Sequence, residues 1–465
     1  MVDVHYGRER DTLAGGEGDE VMVMAMAMAS RSREHSGEAP WSHKVARFAA
    51  RVALLSGLLA TAACSASAAK RAPTSTATVH LSATATATAT PNHLLTLDAA
   101  ANAYIAKMSQ DEQLGQLMLV ALSGTTYDGN DAAMVQQEHA GGILLYADNM
   151  TAKDQAQAMI AAAQAHATLP LLVLTDEEGG FVDRLQQLFG HRPSATDIGY
   201  QGSYSFAVTQ AQSTGADMHS LGFNADFAPD VDVQIVDGPD QSTRTFGATP
   251  DAVTRLAGAY LNGLQSEGII GCLKHFPGLG AATTDAHLDL PTINRTQDQI
   301  ESVELAPYRN LIATGQVDMI MATDLLMPAF DPTLPAELSP TIMTDVLRKQ
   351  MGYNGVVVTD ALYMQGVAKK YTLAQAGVQS IIAGDDLLVG AFSSDQVAWM
   401  IQALKDAINN GQLTQQRIQD SVRRILEMKM RAGLLPLPPN TVPVAPLGTM
   451  RAVTSPTALA DWPRH

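Results

Sequence analysis

The sequence predicts an α/β fold, a (β/α)8 TIM barrel in a single catalytic domain, on three observations. Eight apolar runs recur through the body of the chain, at residues 116–120, 142–146, 171–175, 225–228, 269–274, 319–322, 355–359 and 386–389. Amphipathic helical patterns lie between several of them, at 153–167, 205–221, 250–266, 296–314, 340–351 and 394–409. Polar residues then gather where the runs end: Asp176, Asp230 with Asp232, Lys274 with His275, Thr323 with Asp324, and Asp360. Continuous apolar strands alternating with helices signal a parallel sheet covered by helices. Active sites of closed barrels form at the carboxyl ends of the strands, where the loops converge. A doubly wound open sheet is the alternative arrangement.

The chain divides in order. Residues 1–64 read as a leader. Arg31, Arg33, Lys44, Arg47 and Arg51 precede the 12 apolar residues from Val52 to Ala63, and small residues lead to Cys64. A basic segment, a short apolar core and a small-residue cut site make a secretory signal. The Leu-Ala-Thr-Ala-Ala-Cys run ending at Cys64 also resembles a bacterial lipobox, which makes Cys64 a lipidation candidate and a point of membrane attachment. Twelve apolar residues fall short of the ~20 that span a bilayer. The stretch ahead of the apolar core is long, and a start at Met28 would shorten it. Residues 65–93 are Ala/Ser/Thr-rich with too little bulk for a core, and read as a disordered tether. Residues 94–434 form the barrel domain. Residues 435–465 read as an unpacked tail, Pro-rich at first.

Composition narrows the function. The 465 residues exceed one average domain, yet a barrel of ~250 or more residues can take most of them. A formal charge of −17 argues against nucleic acid, whose phosphates need a basic surface. Aromatics at 5% argue against a long aromatic-lined polysaccharide groove. Only two cysteines are present, so there is no disulfide framework, and Cys272 inside an apolar run reads as a small buried hydrophobe.

The densest chemistry lies at 271–291. An apolar strand stops at Lys274-His275, a Pro-Gly-x-Gly loop follows, and then comes Asp285-x-His287. A carboxylate beside an imidazole fixes its tautomer and favours its protonated form, which suits a general acid. Leu279 and its flanking glycines read as a hinge. The glycines are no dinucleotide fingerprint, because Thr283 stands where a third small residue is needed. His275, His287 and Asp289 lack the further ligand spacing of a metal centre. Asp360, straight after a buried strand, reads as a nucleophile or electrostatic stabiliser, against a helix cap. Around Asp176, Arg184 can position a substrate, while Glu177 and Glu178 are rival carboxylates that leave a paired-carboxylate mechanism open. For Arg244, a binding role and a plain surface role are equally compatible with the sequence. The charges around Arg423, Arg424 and Lys429 read as a solvated helix face.

Together these stretches resemble glycoside hydrolase family 3, in its β-N-acetylhexosaminidase branch, over roughly residues 95–434. The carrying segments are Asp-Glu-Glu-Gly-Gly-Phe-Val-Asp-Arg-Leu (176–185), Leu-Gly-Phe-Asn-Ala-Asp-Phe-Ala-Pro-Asp-Val-Asp-Val (221–233), Arg-Thr-Phe-Gly (244–247), Lys-His-Phe-Pro-Gly-x-Gly (274–280), Asp-x-His (285–287), Glu-Leu-Ala-Pro-Tyr (304–308) and Gly-Val-Val-Val-Thr-Asp-Ala-Leu-x-Met (355–364). The resemblance implies a retaining mechanism with Asp360 as nucleophile and His287 as general acid/base partnered by Asp285. It places Asp176, Arg184, Arg244, Lys274 and His275 on positions that bind N-acetylglucosamine. It implies an exo-acting enzyme that releases terminal β-linked N-acetylglucosamine from muropeptides, other peptidoglycan fragments or chitooligosaccharides, without metal or organic cofactor. The leader separately predicts export, and a monomer is expected.

Two residues depart from the family pattern. Leu279 stands where a His is usual, and Ala361 where a second acid is common. The second domain of the larger β-glucosidases is not expected after residue ~434. With Asp-x-His present, this favours the hexosaminidase branch over β-glucosidase activity. Two other readings remain: a phosphorylase, because a neutral imidazole does not repel an anionic acceptor, and a non-catalytic lipoprotein that binds muropeptides.

Overall fold

Every one of the eight apolar runs forms a strand. They are β1 (Met118–Ala121), β2 (Gly142–Leu144), β3 (Leu172–Leu174), β4 (Ala225–Asp226), β5 (Ile270–Phe276), β6 (Met319–Ala322), β7 (Val356–Ala361) and β8 (Leu387–Ala391). The computed structural model describes residues 94–239, 243–443 and 447. The expected leader with Cys64, the 65–93 tether and the end of the tail lie outside the described residues. All strand pairings are parallel, in the order β3-β2-β1-β8-β7-β6-β5-β4. The seam between β3 and β4 is bridged by the backbone: Asn224 N–H donates to Val173 O (3.1 Å) and Phe227 N–H to Thr175 O (3.0 Å). The Asn224 side chain fills the gap in the ladder, accepting from Val173 N–H at 2.9 Å and donating to Leu171 O at 2.9 Å. The sheet therefore closes into a barrel, and the open-sheet alternative falls.

The strands are apolar throughout because both faces are covered, one by the barrel interior and one by helices. The covering helices used below are α1 (Leu97–Ile105), α2 (Tyr204–Leu221), α3 (Pro250–Ser266), α4 (Ala306–Ile312), α5 (Leu373–Ala383) and α6 (Gln415–Arg431). Their ends follow local chemistry. Thr249 caps α3 by accepting from Ala252 N–H, with Pro250 in the first turn, where its missing N–H costs nothing. Helices α2 and α3 pack closely through Gly263. A β-carbon there would lie 2.5 Å from both Ala211 Cβ and Val208 O.

Four expectations about the fold need correction. The helix read at 296–314 is two, Gln297–Ser302 and α4, because Pro307 has no N–H to continue a helix and fits only a first turn. The helix read at 340–351 is Thr341–Gln350, wound with i→i+5 bonds that end in Met351 N–H to Val346 O at 2.9 Å. The charges of α6 do not form a solvated face. Arg417 and Arg424 converge with Arg348 on buried Asp386 at 3.5, 3.0 and 2.5 Å. These arginines outweigh the upward push of burial and hold the Asp386 carboxyl down at about 2. The Pro-rich tail also starts packed. Leu435 is buried, Tyr104 of α1 donates to Pro436 O (2.8 Å), and Leu95 exchanges backbone bonds with Asn440 and Val442.

Lys429 lies fully buried at the amino-terminal end of the barrel, donating to Gln116 Oε1 and Gly141 O at 2.9 Å each. Burial pushes its ammonium down from 10.5 to about 7. Between those values the unfolded chain binds the proton and the folded chain does not, so this group makes stability rise with pH across that window. Below it the burial penalty on the charge is fully present. Relative to K429M, wild type should therefore gain up to about 1.4 kcal/mol per pH unit from about pH 7 to 10 in urea unfolding. Parallel profiles for the two proteins would refute the assignment.

Candidate active site

The carboxyl mouth of the barrel is built around one buried cation. Lys274, near the end of β5 and 1% exposed, lies 2.8 Å from Asp176 Oδ1 and 2.6 Å from Glu178 Oε1. Asp176 follows β3, and Glu178 lies on a small antiparallel hairpin, Glu177–Gly179 with Val182–Asp183. Gly179 and Gly180 turn the hairpin at φ +77° and +63°, a region open to glycine. Arg244 grips Glu178 with two bonds of 2.8 Å. Burial raises the Glu178 carboxyl, but Arg244 and Lys274 outweigh it and hold it well below the usual carboxylate range. For Asp176, burial is likewise overcome by Lys274 and then Arg184.

Arg244 also donates to His275 Nε2 at 3.1 Å. Arginine only donates, so Nε2 accepts and Nδ1 carries the proton, which points at Asp232 Oδ2 at 2.8 Å. The other Asp232 oxygen accepts Leu279 N–H at 2.6 Å. The Pro-Gly-x-Gly loop is thus anchored through its backbone, and the Leu279 side chain is not needed for it. Its glycines are no hinge. Gly280 is buried so tightly that a β-carbon would meet Val233 O at 1.8 Å. Asp230, Asp232 and His275 bring potential ligand atoms within 4.8 Å of one another, but the hydrogen bonds just described already occupy His275 and both Asp232 oxygens. The His275–His287–Asp289 metal grouping is not assembled, because Asp289 pairs with Lys369 at the surface (3.0 Å).

Asp360 ends β7 half-buried, with both carboxylate oxygens fixed. Thr323 Oγ1 donates to Oδ2 and Ala361 N–H to Oδ1, each at 2.8 Å. Asp285 and His287 lie on the loop beyond β5. Asp285 Oδ1 accepts His287 N–H and faces His287 Nδ1, each at 2.8 Å. A carboxylate only accepts, so Nδ1 holds the proton and points it at Asp285. The hydrogen bond from His287 is the main cause that lowers the Asp285 carboxyl, and Arg244 adds to it. The His287 side chain is 64% exposed. Its loop is docked on the segment after β7, through Gly366 N–H to Ala286 O (3.3 Å) and Lys369 Nζ to Leu288 O (2.8 Å).

The rival carboxylates separate cleanly. Glu177 faces away from the mouth. It accepts Leu185 N–H at 2.8 Å, sits 3.6 Å from Arg192, and is pushed up to about 9 by burial, against the pull of Arg192. Glu178 is saturated by two cations. Neither is free to attack or to carry a proton to a sugar. Arg184 is half-buried beside Asp176 and acts on Tyr146 and Tyr363, whose hydroxyls are 3.1 Å apart. The two tyrosines and the Thr323 contact escaped the sequence reading. Tyr146 was visible as the polar end of its apolar run, the signal that marked the other strands.

This barrel, with its charged mouth, is that of a (β/α)8 glycoside hydrolase. The glycosyl hydrolase family 3 N-terminal domain matches residues 109–428, and the chain belongs to glycoside hydrolase family 3. It is 34% identical over 336 residues to Beta-hexosaminidase LpqI of Mycobacterium tuberculosis, covering 70% of this chain and 84% of that protein. It is 30% identical to Beta-hexosaminidase A of Pseudoalteromonas piscicida, across 66% of this chain but only 56% of that longer relative. In structure it resembles a family 3 beta-N-acetylglucosaminidase from Paenibacillus sp. str. FPU-7, with a TM-score of 0.68 and 32% identity over 72% of this chain and 66% of that one.

Removing Lys274 would leave Asp176 and Glu178 as neighbouring carboxylates with half their compensation gone. K274M should cost about 3–5 kcal/mol of stability by urea denaturation, as expected for breaking a buried ion pair. A loss below about 1 kcal/mol would show that the cation does not hold the mouth together.

Proposed function

We propose that the chain is a retaining exo-β-N-acetylhexosaminidase that releases terminal β-linked N-acetylglucosamine from peptidoglycan fragments or chitooligosaccharides. The observation that carries this reading is the placement of Asp360. Its carboxylate is held by two hydrogen bonds at the barrel mouth, and the loop bearing Asp285 and His287 is docked on the segment that follows it. Kinship to proteins named beta-hexosaminidase and beta-N-acetylglucosaminidase supports the choice of sugar.

In the first step Asp360 attacks the anomeric carbon, while protonated His287 gives its Nε2 proton to the departing glycosidic oxygen. In the second, neutral His287 takes a proton from water, which displaces Asp360 and releases the sugar with its configuration retained. Asp285 keeps the imidazole oriented through both steps. Asp176, Arg184, Arg244, Lys274 and His275 bind the N-acetylglucosamine unit. In the ligand-free pocket Lys274 and Arg244 spend much of their hydrogen-bonding capacity on Asp176 and Glu178, so these two residues act largely by fixing the carboxylates that meet the sugar hydroxyls. Export, with Cys64 as a lipid attachment point, is part of the same proposal and rests on the leader sequence alone. No helix among the described residues is long and apolar enough to cross a membrane.

A slow 5-fluoro analogue of an activated N-acetylglucosaminide that traps the covalent intermediate, followed by peptide mapping, should place the label on Asp360. D360A should lower kcat by at least about a thousandfold, the scale for loss of a nucleophile. Product analysis with and without phosphate should give free N-acetylglucosamine in both. Predominant sugar 1-phosphate would make the enzyme a phosphorylase, and sugar binding without turnover would make it a binding protein.

A further inference from the structure

Behind the proposed nucleophile lies an acid that the mechanism does not use. After β6 the chain folds back in a single turn, Ala336–Leu338, held by Ala336 N–H to Leu325 O (2.8 Å) and Gln379 Nε2 to Leu338 O (2.9 Å). This turn buries Glu337 to 1% exposure. Glu337 Oε2 accepts the main-chain N–H of Asp360 at 3.2 Å. Its other oxygen, Oε1, has no hydrogen-bond partner among the described residues. The ionisable neighbours acting most strongly on Glu337 are acids: Asp324 after β6, Asp360 itself and Asp385 before β8. Helix α5, packed on the turn, brings no ionisable side chain. In the adjoining Thr341–Gln350 helix, Asp345 pairs with Lys349 and Arg348 with Asp386.

We propose that Glu337 is a positioning residue for Asp360: an uncharged carboxylic acid that anchors the nucleophile's backbone from behind without setting a second negative charge against it. An ionised carboxylate buried among three acids, with one oxygen unpartnered, would carry a large uncompensated cost. Burial, reinforced by Asp324 and Asp360, pushes the Glu337 carboxyl well above its ordinary value, in keeping with a neutral group. A hydrocarbon side chain at 337 would fill the site at less cost to folding. Retaining a buried, half-satisfied acid there is a loss of stability accepted for the bond to Asp360. The inference rests on the reading of Asp360 as nucleophile.

The test compares E337Q, E337L and D360A in the full chain, with an aryl β-N-acetylglucosaminide as substrate. Glutamine keeps a neutral acceptor for Asp360 N–H, so E337Q should lose only about two- to fivefold in kcat/KM, with a pH–rate profile superimposable on wild type. Leucine removes the acceptor, so E337L should lose about 30- to 100-fold, the effect of a misplaced reacting group. Its inhibition constant for free N-acetylglucosamine should stay within about twofold, because the sugar-binding groups are untouched, and its Tm should equal or exceed wild type. E337L that melts lower or fails to fold, E337L with near-normal kcat/KM, or E337Q as impaired or pH-shifted as a lost charge would require each overturns the proposal. An active D360A would instead overturn the nucleophile assignment beneath it.

Discussion

The active mouth depends on a buried two-against-two charge balance. Lys274 and Arg244 face Asp176 and Glu178, and the four come from β5, the loop after β4, the end of β3 and the hairpin. Each ion out of water costs several kcal/mol, and only close, multiply bonded partners return it. Four chain segments are therefore tied to one point. The tie extends outward from Arg244 to His275, to Asp232 and to the backbone of Leu279. The root of the loop that carries Asp285 and His287 is thus set by the same charges that shape the barrel mouth. Donors and acceptors fixed before substrate arrives spare the ordering cost at the moment of reaction.

Each end of the barrel keeps selected carboxylates charged with clustered cations and leaves other buried acids, such as Asp385 at the amino-terminal end, pushed upward by burial. At the amino-terminal end three arginines surround Asp386 and hold it charged, an arrangement that serves the fold. At the carboxyl end Lys274 and Arg244 serve Asp176 and Glu178. Asp226, Asp230 and Glu337 are pushed upward by burial. The formal charge of −17 counts all of these as ionised.

The fold was legible because a barrel strand, covered on both faces, writes itself as an unbroken apolar run that a charged residue stops. Pro307 shows the limit: its break in the predicted helix was in the sequence, but amphipathic spacing ran across it. The charges of α6 were misread because a helical pattern gives a face and not what lies opposite, here Asp386 and the carbonyl of Gly141. Glu177 and Glu178 could not be told apart for a similar reason. Only their place as consecutive residues of a strand, whose side chains alternate, sends one toward Arg192 and the other toward Arg244. Glu337 lies far along the chain from Asp360 and carries no motif, so its contact exists only in the folded protein.

The exposure of His287 fits the two-step chemistry proposed for it. A nucleophile does best where water is scarce and hydrogen bonds fix its lone pairs, as at half-buried Asp360 between Thr323 and Ala361. An acid that must later serve as base has a different need. After the leaving group departs, it has to meet a water molecule at the place the aglycone held. An imidazole on a solvent-facing loop, steadied by Asp285 and by the docking of the loop on the chain beyond β7, has that access without losing its aim. An exposed carboxylic acid ordinarily has lost its proton well below neutral pH, whereas an imidazole as a residue type ordinarily exchanges its proton closer to it. The open position of the loop and the choice of histidine are thus two sides of one constraint.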